Sequence, residues 1–173
     1  MLVGLVSDSH GLADPALTGL FEGCDLILHA GDVVKPAVLT ALEQVARVKA
    51  VRGNNDEVPG LERLPEHRLV PLEELTAYLL HDVGSPGRPH PSVGKAIRRL
   101  QPALVIHGHS HRPGTALVDG ILFVNPGSAG PRRFDLPRSA GRLRVEGRLV
   151  VVELFELDEG GPRALGRALE VEL

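Results

Sequence analysis

Aromatic side chains are almost missing from this 173-residue chain, which has no Trp, one Tyr and four Phe. Its core must therefore be built from Leu, Val and Ala, without the large ring surfaces that dominate many interiors. Cysteine is scarcer still. The single Cys24 excludes an internal disulfide and offers no second thiolate for a metal. Next to Gly23, Asp25 and Leu26-Ile27-Leu28, it reads as a small buried hydrophobe. A formal charge of −3 leaves no evident basic face for nucleic acid. No apolar run reaches membrane-spanning length, and the start (Met1 to Val6) is too short for a signal peptide and lacks a basic n-region. A soluble, cytoplasmic protein is expected. Gly (20) and Pro (14) signal many loops without low complexity. No linker, repeat or charge block divides the chain, so residues 1–173 are expected to form one domain.

What the chain does have is a series of short apolar runs, each emptying into a polar cluster. Leu104-Val105-Ile106 is the clearest, a buried-strand signal that stops at His107-Gly108-His109-Ser110-His111. In extended backbone, residues two apart share a side, so His109 and His111 are expected to present two imidazoles to one place. Imidazole suits zinc, manganese, iron, cobalt or nickel, and strand ends are where α/β sheets put their sites. The pattern occurs three more times. Residues 2–6 lead to Ser7-Asp8-Ser9-His10-Gly11, again with two ligand types two apart. Residues 26–28 lead to His29-Ala30-Gly31-Asp32, where Gly31 permits a sharp turn and each Asp32 oxygen can take one cation. Residues 48–51 lead to Arg52-Gly53-Asn54-Asn55-Asp56, in isolation an ordinary turn signal. Helical spacing over 15–21 and 36–45 completes the order strand, helix, strand, helix, strand. Right-handed crossovers then open all three loops on one edge of a parallel sheet.

Beyond this the pattern changes. Residues 57–66 carry two prolines and no periodicity, which predicts a surface loop. Residues 67–72 and 75–80 read as a hairpin, with His81 at its end. A Gly- and Pro-rich loop over 82–91 contains a solvated His90, and a helix runs from an N-cap at Ser92 to Leu100, with Arg98 and Arg99 complementing its dipole. Residues 115–118 and 121–124 form a hairpin across Asp119-Gly120 that ends at Asn125-Pro126-Gly127-Ser128. A loop over 131–137, a hairpin of 140–145 with 149–157, and a last strand over 164–171 follow. The expected fold is α/β, parallel in its first half and antiparallel in its second. Its apolar strands exceed what one half-solvated sheet can bury, so two mixed β-sheets are expected to pack as a sandwich with helices on the outer faces.

Asp8, His10, Asp32, Asn54, His81, His109 and His111 each follow a strand end. Together they are a mixed nitrogen and oxygen set without sulfur, too many for one tetrahedral zinc and suited to two adjacent ions. Paired ions roughly 3.5–4 Å apart serve phosphatases, nucleases and aminopeptidases. They neutralise a phosphoester's charge and supply hydroxide near neutral pH.

Asp8-Ser9-His10, Gly31-Asp32, Gly53-Asn54-Asn55-Asp56, His81 and Gly108-His109-Ser110-His111 resemble, in order, the motifs of calcineurin-like metallophosphoesterases. The short length, the near-terminal first motif and Asn125-Pro126-Gly127-Ser128 look like the small prokaryotic phosphodiesterase branch, which is related to the metallophosphoesterase-fold subunit of retromer. The resemblance covers residues 2 to about 157. It implies that Asp8, His10 and His111 hold one ion, that Asn54, His81 and His109 hold another, and that Asp32 bridges them. A shared hydroxide would attack phosphorus in line. The cofactors implied are two divalent ions, manganese first, with nickel, cobalt, iron or zinc as alternatives. The substrate implied is a small phosphoester, a diester ahead of a monoester, with no membrane partner; self-association is left open. His29 is expected to support Asp32, and Asn55 and Asp56 to lie near ligands or substrate. His107 has no assigned role.

Two departures stand out. Where the larger family has a histidine after Asn54 to protonate the leaving group, this chain has Asn55. Where the family commonly has glycine after His81, it has Asp82. The competing function is a non-catalytic interaction scaffold, as in the retromer subunit. A dinuclear amide or lactone hydrolase fits the ligand types but not the motif order.

Overall fold

Runs of four to six Leu, Val and Ile residues are too short for helices and bury well as strands on both faces. The computed structural model, which describes residues 1–133 and 135–173, turns nearly every such run into a strand. In chain order the elements are β1 (Leu2–Val6), α1 (Ala16–Leu20), β2 (Leu26–His29), α2 (Pro36–Glu43), β3 (Arg47–Ala50), β4 (His67–Leu72) and β5 (Leu75–Leu80). Next come β6 (Gly84–Ser85), β7 (Arg88–Pro89), α3 (Pro91–Leu100), β8 (Leu104–Ile106), β9 (Gly114–Val118) and β10 (Ile121–Asn125). The chain finishes with β11 (Ser139–Glu146), β12 (Leu149–Asp158), β13 (Gly161–Ala164) and β14 (Leu169–Glu172).

One sheet has the order β13-β12-β11-β1-β2-β3, with β14 on the other half of β12; the second runs β4-β5-β8-β10-β9. Their facing sides make the main core. Val3, Leu5, Leu26 and Leu28 of the first sheet belong to one buried cluster with Val70, Ala77, Leu79, Leu104, Ile106 and Val124 of the second. Period-two alternation sends the intervening residues outward. Val6 and Ile27 meet Leu17, Leu20, Phe21, Val38 and Leu42 around α1 and α2, while Tyr78, Val105 and Phe123 meet Ile97 of α3. Each such side chain contributes about 1.5–3 kcal/mol when fully buried. Helix α1, whose first N–H is taken by Asp14 Oδ1 (2.8 Å), also relies on this burial. Gly4 is required beneath it, because a Cβ there would run into the Phe21 ring. The structure is thus the expected sandwich of two mixed sheets with helices outside. Among the described residues, no helix is long and apolar enough to cross a membrane.

Register levels the strand ends that carry the polar loops. Val6 pairs with His29 and His29 with Ala50 in the parallel set, and Leu79 pairs with Ile106 in the second sheet. Asp8 N–H then donates to Gly31 O at 2.9 Å, joining the first two loops directly.

Several expectations change. The division into a parallel first half and an antiparallel second half does not hold, since β8 runs parallel to both β5 and β10. The last strand over 164–171 is two strands, β13 and β14, broken between 165 and 168 and paired with different halves of β12. Helix α3 begins at Pro91 with His90 at the N-cap position, so Ser92 lies inside it; Pro at N1 sets the cap two residues earlier than expected. Residues 82–91 contain the short β6–β7 hairpin, and His90, though exposed, pairs with Asp82 at 3.1 Å. Phe134, within the loop expected over 131–137, lies outside the described residues.

Candidate metal centre

The loops after β1, β2, β3, β5 and β8 converge on one edge of the sandwich and bring all seven candidate ligands together. The local backbone is not the extended one expected from spacing. Asp8, His10, Asp32, His109 and His111 all have φ between 45° and 67°. Left-handed conformations are uncommon outside glycine, and sparsely populated conformations cluster at functional sites. Asp8 and His10 still present their donors to one place, but the expected same-side presentation of His109 and His111 is corrected. His111 turns toward Asp8 and His10, whereas His109 turns toward Asn54 and His81.

Two donor groups result. In the first, His111 Nε2 lies 3.2 Å from Asp8 Oδ1 and 3.2 Å from His10 Nε2. In the second, Asn54 Oδ1 lies 3.0 Å from His81 Nε2 and 3.1 Å from His109 Nδ1. Asp32 stands between them, with Oδ2 at 3.9 Å from His10 Nε2 and Oδ1 at 3.6 Å from His81 Nε2.

The donors fit cations. Asp8 is fully buried; its Oδ2 accepts from the Ser7 hydroxyl (2.6 Å) and His109 N–H (3.0 Å), but Oδ1 has no hydrogen-bond partner among the described residues. His111 Nε2 is near that oxygen but outside hydrogen-bond geometry. Burial raises the Asp8 pKa, yet the neighbouring His111 and His81 and the Ser7 bond outweigh it, so the group stays below its ordinary value as a carboxylate. Burial, followed by Arg133, lowers the pKa of His10 and favours the neutral ring a metal requires. His81 Nδ1–H donates to Ala30 O at 2.7 Å, so the neutral ring, the form a metal requires, presents Nε2 as a lone pair to Asn54 Oδ1. Two acceptors at 3.0 Å repel unless a cation lies between them. Gly53 and Gly108 complete the cradle. A Cβ at Gly53 would strike the Asp32 carboxylate, and one at Gly108 would strike Ser7 and Asp8.

The supporting residues divide into those foreseen and those missed. Asn55 donates to Asp32 twice, from N–H to Oδ1 (2.8 Å) and from Nδ2 to Oδ2 (2.5 Å). Asp56 is fully buried and accepts from Val34 N–H (2.7 Å) and Gly53 N–H (2.8 Å). It clamps two loops, both of its oxygens being taken by backbone donors. His29 does not bond the Asp32 carboxylate: its Nδ1 accepts from Gly31 N–H (3.2 Å), and its Nε2–H donates to Ser9 Oγ (3.0 Å). The Ser9 hydroxyl in turn sits 3.5 Å from Asp32 O. Asn125 Nδ2 donates to Gly108 O (2.9 Å) and Ser110 Oγ (3.0 Å), while Ser128 Oγ donates to Asp8 O (2.8 Å). The late Asn-Pro-Gly-Ser motif thus ties the first ligand loop to the last. Nothing local in the sequence signals those distant bonds.

Two buried histidines give a pH-dependent stability. Burial pushes the pKa of His29 and of His107 down to about 4. Both are neutral when folded, whereas an unfolded histidine titrates near 6.5. Their contribution is therefore present above about pH 6.5 and is lost as pH falls toward 4. Each should cost the metal-free protein on the order of 2 kcal/mol at pH 5 relative to pH 8. Urea midpoints across that range check this; a sloping wild type and a clearly shallower slope in a His29→Asn, His107→Asn double variant is the expected outcome.

Residues 1–148 match the calcineurin-like phosphoesterase superfamily domain. The chain is 33% identical over 160 residues to a probable metallophosphoesterase of Methanothermobacter thermautotrophicus, covering 90% of this chain and 92% of that protein. It is 26% identical over 143 residues to a phosphodiesterase of Methanocaldococcus jannaschii, covering 73% and 83% respectively. Vacuolar protein sorting 29 from Cryptosporidium parvum has the same fold, with a TM-score of 0.83 at 24% identity over 99% of this chain and 98% of that one.

Proposed function

The chain belongs to the calcineurin-like phosphoesterase superfamily, and from that premise we propose that it is a phosphodiesterase dependent on two divalent cations. One observation carries the reading: the two Asp32 carboxylate oxygens are turned toward different donor groups, each with its own histidines. Asp8, His10 and His111 would hold one ion, and Asn54, His81 and His109 the other, with Asp32 shared. Manganese is the first choice for both places, since the donors mix imidazole with oxygen and contain no sulfur. When bound, two such ions supply Lewis-acid neutralisation of a phosphoryl group and activation of water near neutral pH.

The chain's own residues do the rest. The left-handed backbones at Asp8, His10, Asp32, His109 and His111 aim the donors before any ligand arrives. Asp56, Ser128 and Asn125 hold the loops that carry them. The Asn55 carboxamide orients Asp32 but has no proton to give up near pH 7. The preference for a diester is supported by the phosphodiesterase among the relatives.

A scaffold role, supported by the likeness to vacuolar protein sorting 29, has no need for five strained backbones costing about 1–3 kcal/mol each. The deciding assay uses protein stripped by chelator and reloaded with manganese, nickel, cobalt, iron or zinc, offered an aryl phosphodiester, an aryl phosphomonoester and a cyclic nucleotide. Hydrolysis of the diester by the manganese-loaded form, and none by the stripped form, is expected. Inactivity on all three with every metal, in a chain that still binds two ions, would overturn the catalytic reading in favour of the scaffold.

A further inference from the structure

Of the four histidines in the centre, three are held by packing, and the fourth is not. The side chains of His10, His81 and His111 are 7%, 6% and 12% exposed, while that of His109 is 48% exposed. The ring nitrogen of His109 that faces the other donors is Nδ1, so Nε2 must carry the proton and points away from them. His81 solves the same problem in mirror fashion, giving Nδ1–H to the Ala30 carbonyl. No backbone carbonyl plays that part for His109 among the described residues. The group beyond its Nε2 is the carboxylate of Asp82, with Oδ2 at 3.7 Å, an ion-pair separation that a half-exposed ring can close.

That carboxylate is itself fixed. Asp82 Oδ1 accepts from Gly84 N–H at 2.8 Å, and Oδ2 lies 3.1 Å from His90 Nε2. The β6–β7 hairpin therefore holds a charged acceptor behind the one loosely packed imidazole of the site. A ligand histidine generally gives its second N–H to such a partner, which fixes its tautomer and orientation and raises its basicity.

We propose that Asp82 is the positioning residue for His109, with His90 and Gly84 N–H holding the carboxylate in place. This rests on the reading of His109 as a ligand of the second cation. It also gives a purpose to the acid that replaces the family's usual glycine after His81.

The test compares wild type with Asp82→Ala, Asp82→Asn and Asp82→Glu by calorimetric titration of the metal-free protein with zinc. Asp82→Ala is expected to weaken one of two binding events by about 10- to 100-fold and leave the other unchanged. Asp82→Asn keeps an oxygen for Gly84 N–H, and so the hairpin; it should weaken the same event by a smaller factor, and Asp82→Glu should recover part of the loss. In the zinc-loaded wild type, the His109 Nε2–H should give a downfield, slowly exchanging proton resonance that disappears in Asp82→Ala. Two unchanged binding events in Asp82→Ala overturn the proposal and leave the phosphodiesterase reading standing. A loss in Asp82→Ala with none in Asp82→Asn assigns the effect to the hairpin and also overturns it. A wild-type chain that takes only one zinc removes the second site and the inference with it. The expected affinity pattern in a protein that cleaves no diester would leave Asp82 in its role and remove the phosphodiesterase.

Discussion

Asp32→Ala is expected to abolish the binding of both cations and to lower diester turnover by at least about 10³-fold, while the metal-free protein stays folded. Two divalent charges about 4 Å apart repel by on the order of 15 kcal/mol even at an effective dielectric of 20. A carboxylate between them offsets that repulsion and gives each ion a bond. The losses from terminal ligands should be smaller and divided. His111→Ala removes a donor from the Asp8 and His10 group, and His109→Ala one from the Asn54 and His81 group. The metal-free fold should tolerate the change because Asp32 has a like-charged neighbour, ligand atoms of Asp8, Asp32 and His81 lying within 4.8 Å of one another. Removing one of two adjacent buried carboxylates relieves repulsion, against the loss of two acceptors for Asn55. Thermal unfolding with and without manganese separates the effects. Wild type should gain stability from the metal, as any ligand of the folded state provides, whereas Asp32→Ala should gain none. Metal analysis that still finds two ions per Asp32→Ala chain at wild-type affinity would refute the shared position.

The strands and the candidate ligand types were legible because each depends on a short stretch. Leu104-Val105-Ile106 is apolar and β-branched over strand length, and Asp119-Gly120 specifies the turn between β9 and β10 through φ of 51° and 77°. Partner choice depends on the whole chain, so β8 between two parallel neighbours and the split of β13 from β14 were not legible. The ligand loops show the same limit. Their composition pointed to the chemistry, but the extended-strand rule failed where His109 and His111 take left-handed backbones and separate into two donor groups. Asp56 looked like one more polar residue at a strand end, and only its two backbone donors reveal a clamp. Asp82 was visible as a departure from pattern, while its contact with His109 required the hairpin that presents it.

Catalysis on this scaffold should depend steeply on the leaving group. General-acid help to a departing oxygen is typically worth 10²–10⁴-fold, and it matters most when the alcohol is a poor leaving group. The residue after Asn54 is Asn55, whose carboxamide cannot give up a proton near pH 7 and whose Nδ2 is already committed to Asp32 Oδ2 at 2.5 Å. Aryl diesters, whose phenoxides leave unaided, should therefore be cleaved well. Alkyl diesters should be slower by about 10²-fold or more. Asn55→His tests the cause. Residue 55 is exposed, and its N–H bond to Asp32 Oδ1 uses backbone alone, so the new imidazole leaves that bond intact. The alkyl-to-aryl turnover ratio should rise by about 10-fold or more, since only alkyl diesters wait for a proton while the loss of the Nδ2 bond to Asp32 falls on both alike. Asn55→Ala supplies no acid and should leave the dependence as steep as in wild type. The measurement is log kcat against leaving-group pKa for a diester series in all three proteins. A flat line in wild type would mean that another group protonates the leaving oxygen or that a step other than bond breaking limits the rate, and the role given to Asn55 would fall.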